Sequence, residues 1–409
     1  MELIVNHSDV RGGSSVVSRR LMDAMRAAGR DARMLTVHRA DTACEAIAAA
    51  APSWRARIPF AAEHLRILAG CRGNRSNLFK LSTGSDGLPL HRHPLVRQAD
   101  TILLNWVNQG MLSLDEIGRI AADGKRIVWT MHDMWNAVGI CHHAGDCTRW
   151  QRPQGCSECP MLGRGAGVGD LSARTWRRKR ELYTSVPITF VAVSNWLADI
   201  CRRSPLMEGC RVEVIPNAFP VERFRTVPRR SRAELGLPEG APLVVMGAAR
   251  LDDPIKGLNY AVEALNAVAD TGAHAVFFGA IRDPGALAGL RMPHTMLGTI
   301  ADGDVLADVY AHSAAVLSSS LWETLPGTLV EAQASGAYPV AFDRGGQGDI
   351  ITGPETGWLA PWPDTTALAD GLRHALTQHP DREALRAAAK RFAAPEIARR
   401  YVELITTLR

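Results

Sequence analysis

The feature that most constrains this 409-residue chain is a rhythm of short apolar runs separated by helical patterns, repeated from end to end. In the first half the runs are Leu3 to Asn6, Arg33 to Val37, Thr101 to Trp106, Arg126 to Met131 and Thr189 to Val193. In the second half they are Leu243 to Gly247, Ala275 to Gly279, Thr295 to Leu297, Ala314 to Leu317 and Tyr338 to Phe342. Runs this short, rich in Val and Ile and separated by helices, argue for parallel sheets. Two such sets predict an α/β chain of two doubly wound, Rossmann-like domains, and the length is enough for more than one core. The rhythm breaks in the proline- and charge-rich segment Pro216 to Pro228. The expected domains are therefore residues 1–217 and 218–394, followed by a last helix within 395–409 that carries Ile397, Tyr401, Val402 and Ile405 on one side. Residues Ala51 to Pro94 are basic, glycine-containing and poorly patterned, which reads as an irregular insertion.

Hydrophobic residues make up 46% of the chain and charged residues 22%, the proportions of an ordinary soluble globular protein. A run of ~18 apolar residues, the length needed to span a bilayer, is missing. The start, MELIVNHSDVRGG, lacks a basic end followed by an apolar stretch, so no signal peptide is expected and the location reads as cytoplasmic. The net charge of +5 is too small to argue for nucleic acid. It suits an anionic ligand and is compatible with an anionic membrane surface.

The richest local pattern is WETLPGTLVEAQASG, from Trp322 to Gly336, directly after the strand-like run AAVLSSS. Pro326 fits the first position of a helix, where its missing N–H costs nothing. The N–H groups of Gly327, Thr328 and Leu329 are then free donors at a positive helix end, where a phosphate can sit. Glu323 precedes this helix and Glu331 lies on its second turn. One carboxylate can thus reach each end of a bound sugar nucleotide, and a carboxylate is a natural acceptor for vicinal hydroxyls. The bland alternative is a pair of solvated charges. Against it, Glu331 lies among Leu329, Val330, Ala332 and Ala334, where an unpartnered carboxylate is costly.

Upstream, VVMGAARLDDPIKGL reads as a buried strand, then a turn with Arg250 and Lys256, then a helix. Against a diphosphate at ~4 Å each cation contributes roughly 4 kcal/mol at an effective dielectric near 20. The alternative is a surface ion pair with Asp252 or Asp253. Near the start, Gly12-Gly13 follows the first strand at a helix start and permits close backbone approach to a phosphate.

Together, Arg250, Lys256 and the Glu323–Glu331 pair resemble the donor site of the family 4 retaining glycosyltransferases, whose fold is GT-B. The resemblance implies two Rossmann-like domains facing across a cleft, with the C-terminal helix crossing back to the first. It implies that Arg250 and Lys256 hold the donor diphosphate, Glu331 the ribose, and that Glu323 touches the transferred sugar. Gly12-Gly13 matches the family's N-terminal glycine loop, and VEVIPNAF (Val212 to Phe219) the segment leading into the second domain. WTMHDMWNAVGICHHAGDC (Trp129 to Cys147) looks like the colanic-acid, exopolysaccharide subgroup. His132 and Asp133, at the end of RIVWTM, then face the active site, with Asn105 and Trp106 on the acceptor side. Two departures stand out: Ala218 replaces a usual Gly, and Asn105-Trp106 stands where relatives often carry His-Trp.

A transferase of this kind implies a UDP- or GDP-sugar donor and a saccharide or lipid-linked acceptor. Leu325, Pro326, Gly327 and Thr328 would contact the sugar, and the loop at Thr299 the base. Metal is not expected at the diphosphate, since Arg250, Lys256 and helix amides supply the charge. An epimerase of the same fold, or a non-catalytic nucleotide-sugar or polysaccharide-binding module, is the other reading.

Cys141, Cys147, Cys156 and Cys159 form C-x5-C-x8-C-x2-C, and a terminal C-x2-C is a frequent zinc spacing. Structural zinc is the expectation, with free buried thiols or a disulfide as alternatives. The run WRRKR, from Trp176 to Arg180, is the densest basic patch. It is either a solvated helix face or a dock for anionic lipid.

Overall fold

Among the described residues, 1–408, thirteen strands form two separate all-parallel sheets in the computed structural model. The chain divides into two units. The first is Met1–Ala218 with the stretch from Pro395 onward, and the second is Phe219–Ala394.

The first unit's strands are β1 (Glu2–Ser8), β2 (Ala32–His38), β3 (Ile47–Ala49), β4 (Thr101–Leu104), β5 (Arg126–Met131), β6 (Ile188–Ala192) and β7 (Arg211–Val214). They lie in the order β3-β2-β1-β4-β5-β6-β7, so the winding reverses between β1 and β4. Leu3, Ile4, Leu103, Val128, Phe190 and Val191 are buried, as strands covered by helices on both faces require. The last helix, Ala394–Thr407, buries Ile397, Tyr401, Leu404 and Ile405. It is pinned to this unit where the Tyr401 hydroxyl meets Thr130 Oγ1 of β5 at 2.9 Å.

The second unit's strands are β8 (Leu243–Arg250), β9 (His274–Ala280), β10 (His294–Met296), β11 (Ala315–Ser318), β12 (Tyr338–Phe342) and β13 (Trp358–Ala360), in the order β10-β9-β8-β11-β12-β13. Winding reverses between β8 and β11. Phe277, Leu317, Tyr338 and Phe342 from the sheet pack with Leu265, Leu368 and Leu372 from its helices. In open α/β sheets ligands bind beyond the carboxyl ends of the strands at such a reversal.

The ten strands expected from the apolar runs are all present. Three more, β3, β7 and β13, were not anticipated; each lies at a sheet edge and is only three or four residues long. A larger correction concerns residues 51–94. The first half of that segment is an 18-residue helix, Ser53–Gly70, while the stretch that follows, residues 71–89, is irregular as expected. Pro59 lies inside the long helix, and its outward face is as apolar as its inward one, which erases the period that would reveal it. Buried Glu63 ties this helix to the following loop by accepting the N–H groups of Thr83 (2.6 Å) and Gly84 (3.1 Å).

Candidate active site

In the second unit two loops flank the β8/β11 reversal and carry most of the predicted donor residues. After β8 the chain makes a short turn, Pro254–Lys256, whose start is capped by the Asp253 carboxylate accepting the Ile255 N–H at 3.2 Å. Gly257 then adopts φ 61°, and a Cβ there would stand 2.3 Å from the Ser319 carbonyl oxygen. Only glycine permits this approach. The two loops are also laced by the Leu321 N–H donating to Ile255 O (2.8 Å) and by Ser319 Oγ donating to Lys256 O (2.9 Å).

This lacing brings Lys256 to Glu323, with Nζ 2.5 Å from Oε1. Both side chains keep part of their surface open, 28% and 21%. Lys256 is thus paired with the other predicted donor residue, while Arg250 does take the bland option and pairs with Asp253 at 3.0 Å. Glu323 is fixed through its backbone: its carbonyl accepts the Gly346 N–H at 2.8 Å, and a Cβ on Gly345 would lie 2.2 Å from that same oxygen.

The helix that follows is Gly327–Ala334, with Pro326 as its N-cap and no side-chain cap. This shifts the expectation by one residue: Pro326 precedes the first helical position. It also removes one expected donor, because the Leu329 N–H is engaged by Pro326 O at 3.2 Å. Gly327 is required by packing, since a Cβ there would come 2.8 Å from the Phe219 ring. Leu325 and Pro326 are buried beneath this end, whereas Gly327 and Thr328 are partly open. Glu331 is 8% exposed within the apolar helix. Thr299 is exposed on the loop after β10, where Gly298 O accepts the Gly279 N–H at 2.7 Å.

One residue here escaped sequence reasoning. The Arg344 guanidinium is stacked between two indoles, 4.0 Å from the Trp322 ring and 3.5 Å from the Trp362 ring. It ties Trp322, the residue before Glu323, to Trp362 on another loop. Its partners are 22 and 18 positions away, a separation with no local signature.

In the first unit the carboxyl edge of the sheet is a hydrogen-bond network. Asn6, on β1, accepts the Trp106 N–H at 3.0 Å and donates to Ser15 Oγ at 3.0 Å. Asn105 Oδ1 meets His132 Nε2 at 2.8 Å. Trp106 Nε1 donates to Asp133 at 3.1 Å, and the same carboxylate oxygen meets His142 Nδ1 at 2.7 Å. His142 Nε2 continues to Ser82 Oγ at 3.0 Å. Burial pushes the His132 imidazole down to about 4, more than Asp133 pulls it up, so the ring is neutral near pH 7. Burial alone would raise the Asp133 carboxyl; the adjoining His142, by charge and hydrogen bond, overrides it and holds Asp133 at about 2.

Gly12 sits at the N-cap of helix Gly13–Ala27 with φ 85°, and added side-chain atoms at Gly12 or Gly13 would meet open space. Conformation, not crowding, requires Gly12. A cavity of about 300 Å³ opens in this unit between His7, His38, Phe60, Gln109 and Met111, a set sequence reasoning did not collect. Burial pushes His7 to about 4, helped by the neighbouring His38.

Two expectations fare differently. The WRRKR run is solvated only in part: Arg177 is exposed, and the other cations are engaged. Lys179 is fully buried, donating to Trp135 O (2.5 Å) and Val138 O (3.1 Å) with its ammonium 3.4 Å from the Trp135 ring. Arg178 is bound to Ser85 and Asp115, and Arg180 to the Pro205 carbonyl. Cys141, Cys147, Cys156 and Cys159 are free thiols. Burial pushes Cys156 and Cys159 up to about 11, and Cys141 further. Among the described residues no group of three or more His, Cys, Asp or Glu is arranged to hold a metal ion, so the zinc ligand set expected from the spacing is not assembled.

Residues 242–378 match the family described as glycosyl transferases group 1. A colanic acid biosynthesis glycosyl transferase of Escherichia coli, WcaC, described as putative, is 26% identical over 132 residues, a match spanning 31% of this chain and 31% of that protein. Among solved structures, sucrose-phosphate synthase from Thermosynechococcus elongatus superposes with a TM-score of 0.69 at 18% identity, covering 100% of this chain and 99% of its own. Anabaena HepE in complex with UDP gives 0.64 at 17% identity, covering 99% of each. HepE also matches in its complex with UDP-glucose. These likenesses show the fold.

Proposed function

From a chain that carries a group 1 glycosyltransferase domain and has the GT-B fold, we propose an enzyme that transfers a sugar from a nucleotide-diphosphate sugar to a saccharide or lipid-linked acceptor, with retention, in bacterial polysaccharide synthesis. The observation that carries this reading is the second unit's carboxyl edge: a half-open Lys256–Glu323 pair, Arg250 and an uncapped helix end, with buried Glu331 on that helix.

In this reading the diphosphate binds at Lys256, Arg250 and the helix end. Lys256 then exchanges Glu323 for phosphate oxygens, and Glu323 turns to the sugar. Glu331 accepts the ribose hydroxyls, and Leu325 to Thr328 line the sugar. The bond from the anomeric carbon to the phosphate oxygen breaks as the acceptor oxygen bonds to that carbon on the same face. The acceptor's proton passes to the leaving phosphate oxygen. Preorganised cations and N–H groups lower this barrier by meeting charge as it develops. No metal is required at the diphosphate. In the first unit, neutral His132 with Asn105, Trp106 and the Asp133 carboxylate forms a fixed polar surface suited to hydroxyl groups, and Gly12-Gly13 leaves room for a phosphate. HepE's complexes with UDP and UDP-glucose favour UDP over GDP.

A thermal-shift panel of UDP, GDP, ADP and their sugar conjugates, with Mg²⁺ or EDTA, tests the reading. A metal-independent rise in Tm with UDP and UDP-sugars is expected. A shift that vanishes in EDTA removes the metal-free donor site, and donor binding without transfer to any glycan favours a binding module. Structural zinc rests on the C-x2-C spacing alone, with the geometry against it. Metal analysis under reducing conditions decides: one zinc per chain sustains it, and a substoichiometric amount removes it.

A further inference from the structure

The helix Ser53–Gly70 is apolar on the side it turns to solvent. Trp54, Ile58, Ala61, Leu65 and Ala69 are all exposed, and their spacing places them in one stripe along the helix. Exposure reaches 60% at Trp54, 61% at Ile58 and 65% at Leu65, and Phe79 beyond the helix stands at 67%. The opposite side is anchored by buried Ala56, Glu63 and Ile67. A single exposed leucine needs no explanation, but a continuous band marks an interaction site.

The charge around the stripe selects the partner. At 100° per residue, Arg55 and Arg66 flank one side and Arg57 the other, all exposed. Arg72, Arg75 and Lys80 follow, also exposed. From Pro52 to Lys80 there are six cations and one acidic residue, Glu63, which is buried and spent on backbone N–H groups; Arg66 is paired with Asp86 at 3.1 Å, which leaves Arg55, Arg57, Arg72, Arg75 and Lys80 to set the charge of the face. Two copies of this face would set cations against cations. An apolar stripe with an aromatic at one end and arginines along both margins matches the acyl boundary and phosphate layer of a bilayer.

We propose that this face docks on an anionic lipid surface, laying Trp54, Ile58 and Leu65 among the acyl chains and the arginines against the headgroup phosphates. The assignment replaces the WRRKR run, where all cations but Arg177 are engaged within the protein, and is independent of the transfer reaction.

The test is co-sedimentation of the full chain with phosphatidylcholine vesicles, with and without about a third phosphatidylglycerol, at about 0.05 and 0.5 M salt. Binding is expected only to the anionic vesicles and is weakened by salt. Trp54→Ser/Ile58→Ser/Leu65→Ser is expected to bind at least about tenfold more weakly with an unchanged Tm, because these side chains are exposed. Arg72→Gln/Arg75→Gln is expected to lose part of the preference for anionic lipid. Absence of low-salt binding to anionic vesicles overturns the proposal, as does a triple serine variant that binds like the parent. A concentration-dependent dimer that the same variant abolishes, without vesicle binding, assigns the face to a second copy instead.

Discussion

At the carboxyl edge of the first sheet, His132 is held by Asn105, and Trp106, Asp133 and His142 are joined in a chain of hydrogen bonds. At the same edge of the second sheet, Lys256 and Glu323 form a partly open ion pair near an uncapped helix end. The first arrangement has met its desolvation cost during folding and has one geometry. The second holds little energy in its resting contacts, because exposed ion pairs contribute only about 0–1 kcal/mol. A diphosphate can therefore displace Glu323 from Lys256 at small cost. In the proposed reading, one edge orients an acceptor and the other captures an anion.

The largest expected effect breaks the capture side. Lys256→Ala is expected to weaken UDP binding roughly 30-fold, equivalent to about 2 kcal/mol once solvent screening reduces the ~4 kcal/mol Coulomb ceiling. Calorimetric titration at two salt concentrations checks it, and the loss should shrink at high salt. Unchanged affinity would make the pair structural and erase the contrast. Next is Glu331→Gln. Its UDP affinity is expected to fall about tenfold, the scale of one charge-assisted hydrogen bond. Its ligand-free Tm should change little, because Gln keeps the size and most of the hydrogen-bonding capacity of the carboxylate. A lower Tm with intact affinity would return Glu331 to a scaffold role.

How far the sequence discloses each edge follows from the range of its interactions. The candidate residues of the second edge stood out because they lie in two short segments, Arg250–Gly257 and Trp322–Glu331, each with a glycine or proline at the turn. What stayed hidden there was Arg344, whose partners Trp322 and Trp362 come from separate loops. In the first unit the end of β5 pointed to His132 and Asp133, but not to His142, nine positions on across an irregular loop, nor to Ser82, which supports His142 from 60 positions away. The helix Ser53–Gly70 was missed because apolar residues occupy both of its faces, and WRRKR was misjudged because burial of Lys179 depends on carbonyls over 40 positions away.

The orienting side is sharpened by pH. Native His132 and His7 protonate at about 4, against 6.5 when unfolded. Between those values the unfolded chain binds protons that the native chain refuses, so stability falls as pH drops from 6.5 toward 4 and is level above. Asp133 adds a further loss only below its ordinary 3.8, ending near its native value of about 2. Melting temperature against pH should show this slope, and His7→Gln with His132→Gln should flatten it. A parent curve already flat from pH 6.5 to 4 would mean the network admits water.

The smallest effect probes whether capture depends on charge alone. Arg344→Lys keeps the cation but loses the planar stacking between Trp322 and Trp362, worth about 0.5–1 kcal/mol at a partly exposed site. A fall of a few-fold in UDP affinity, with the charge unchanged, is expected in the same titration. That result would mean the loop bearing Glu323 is pre-ordered much as the first edge is, and that the two edges differ in what they present to a ligand more than in how rigidly they present it. An unaltered affinity would leave Lys256 and Arg250 to act as point charges, indifferent to the order of the loop beside them.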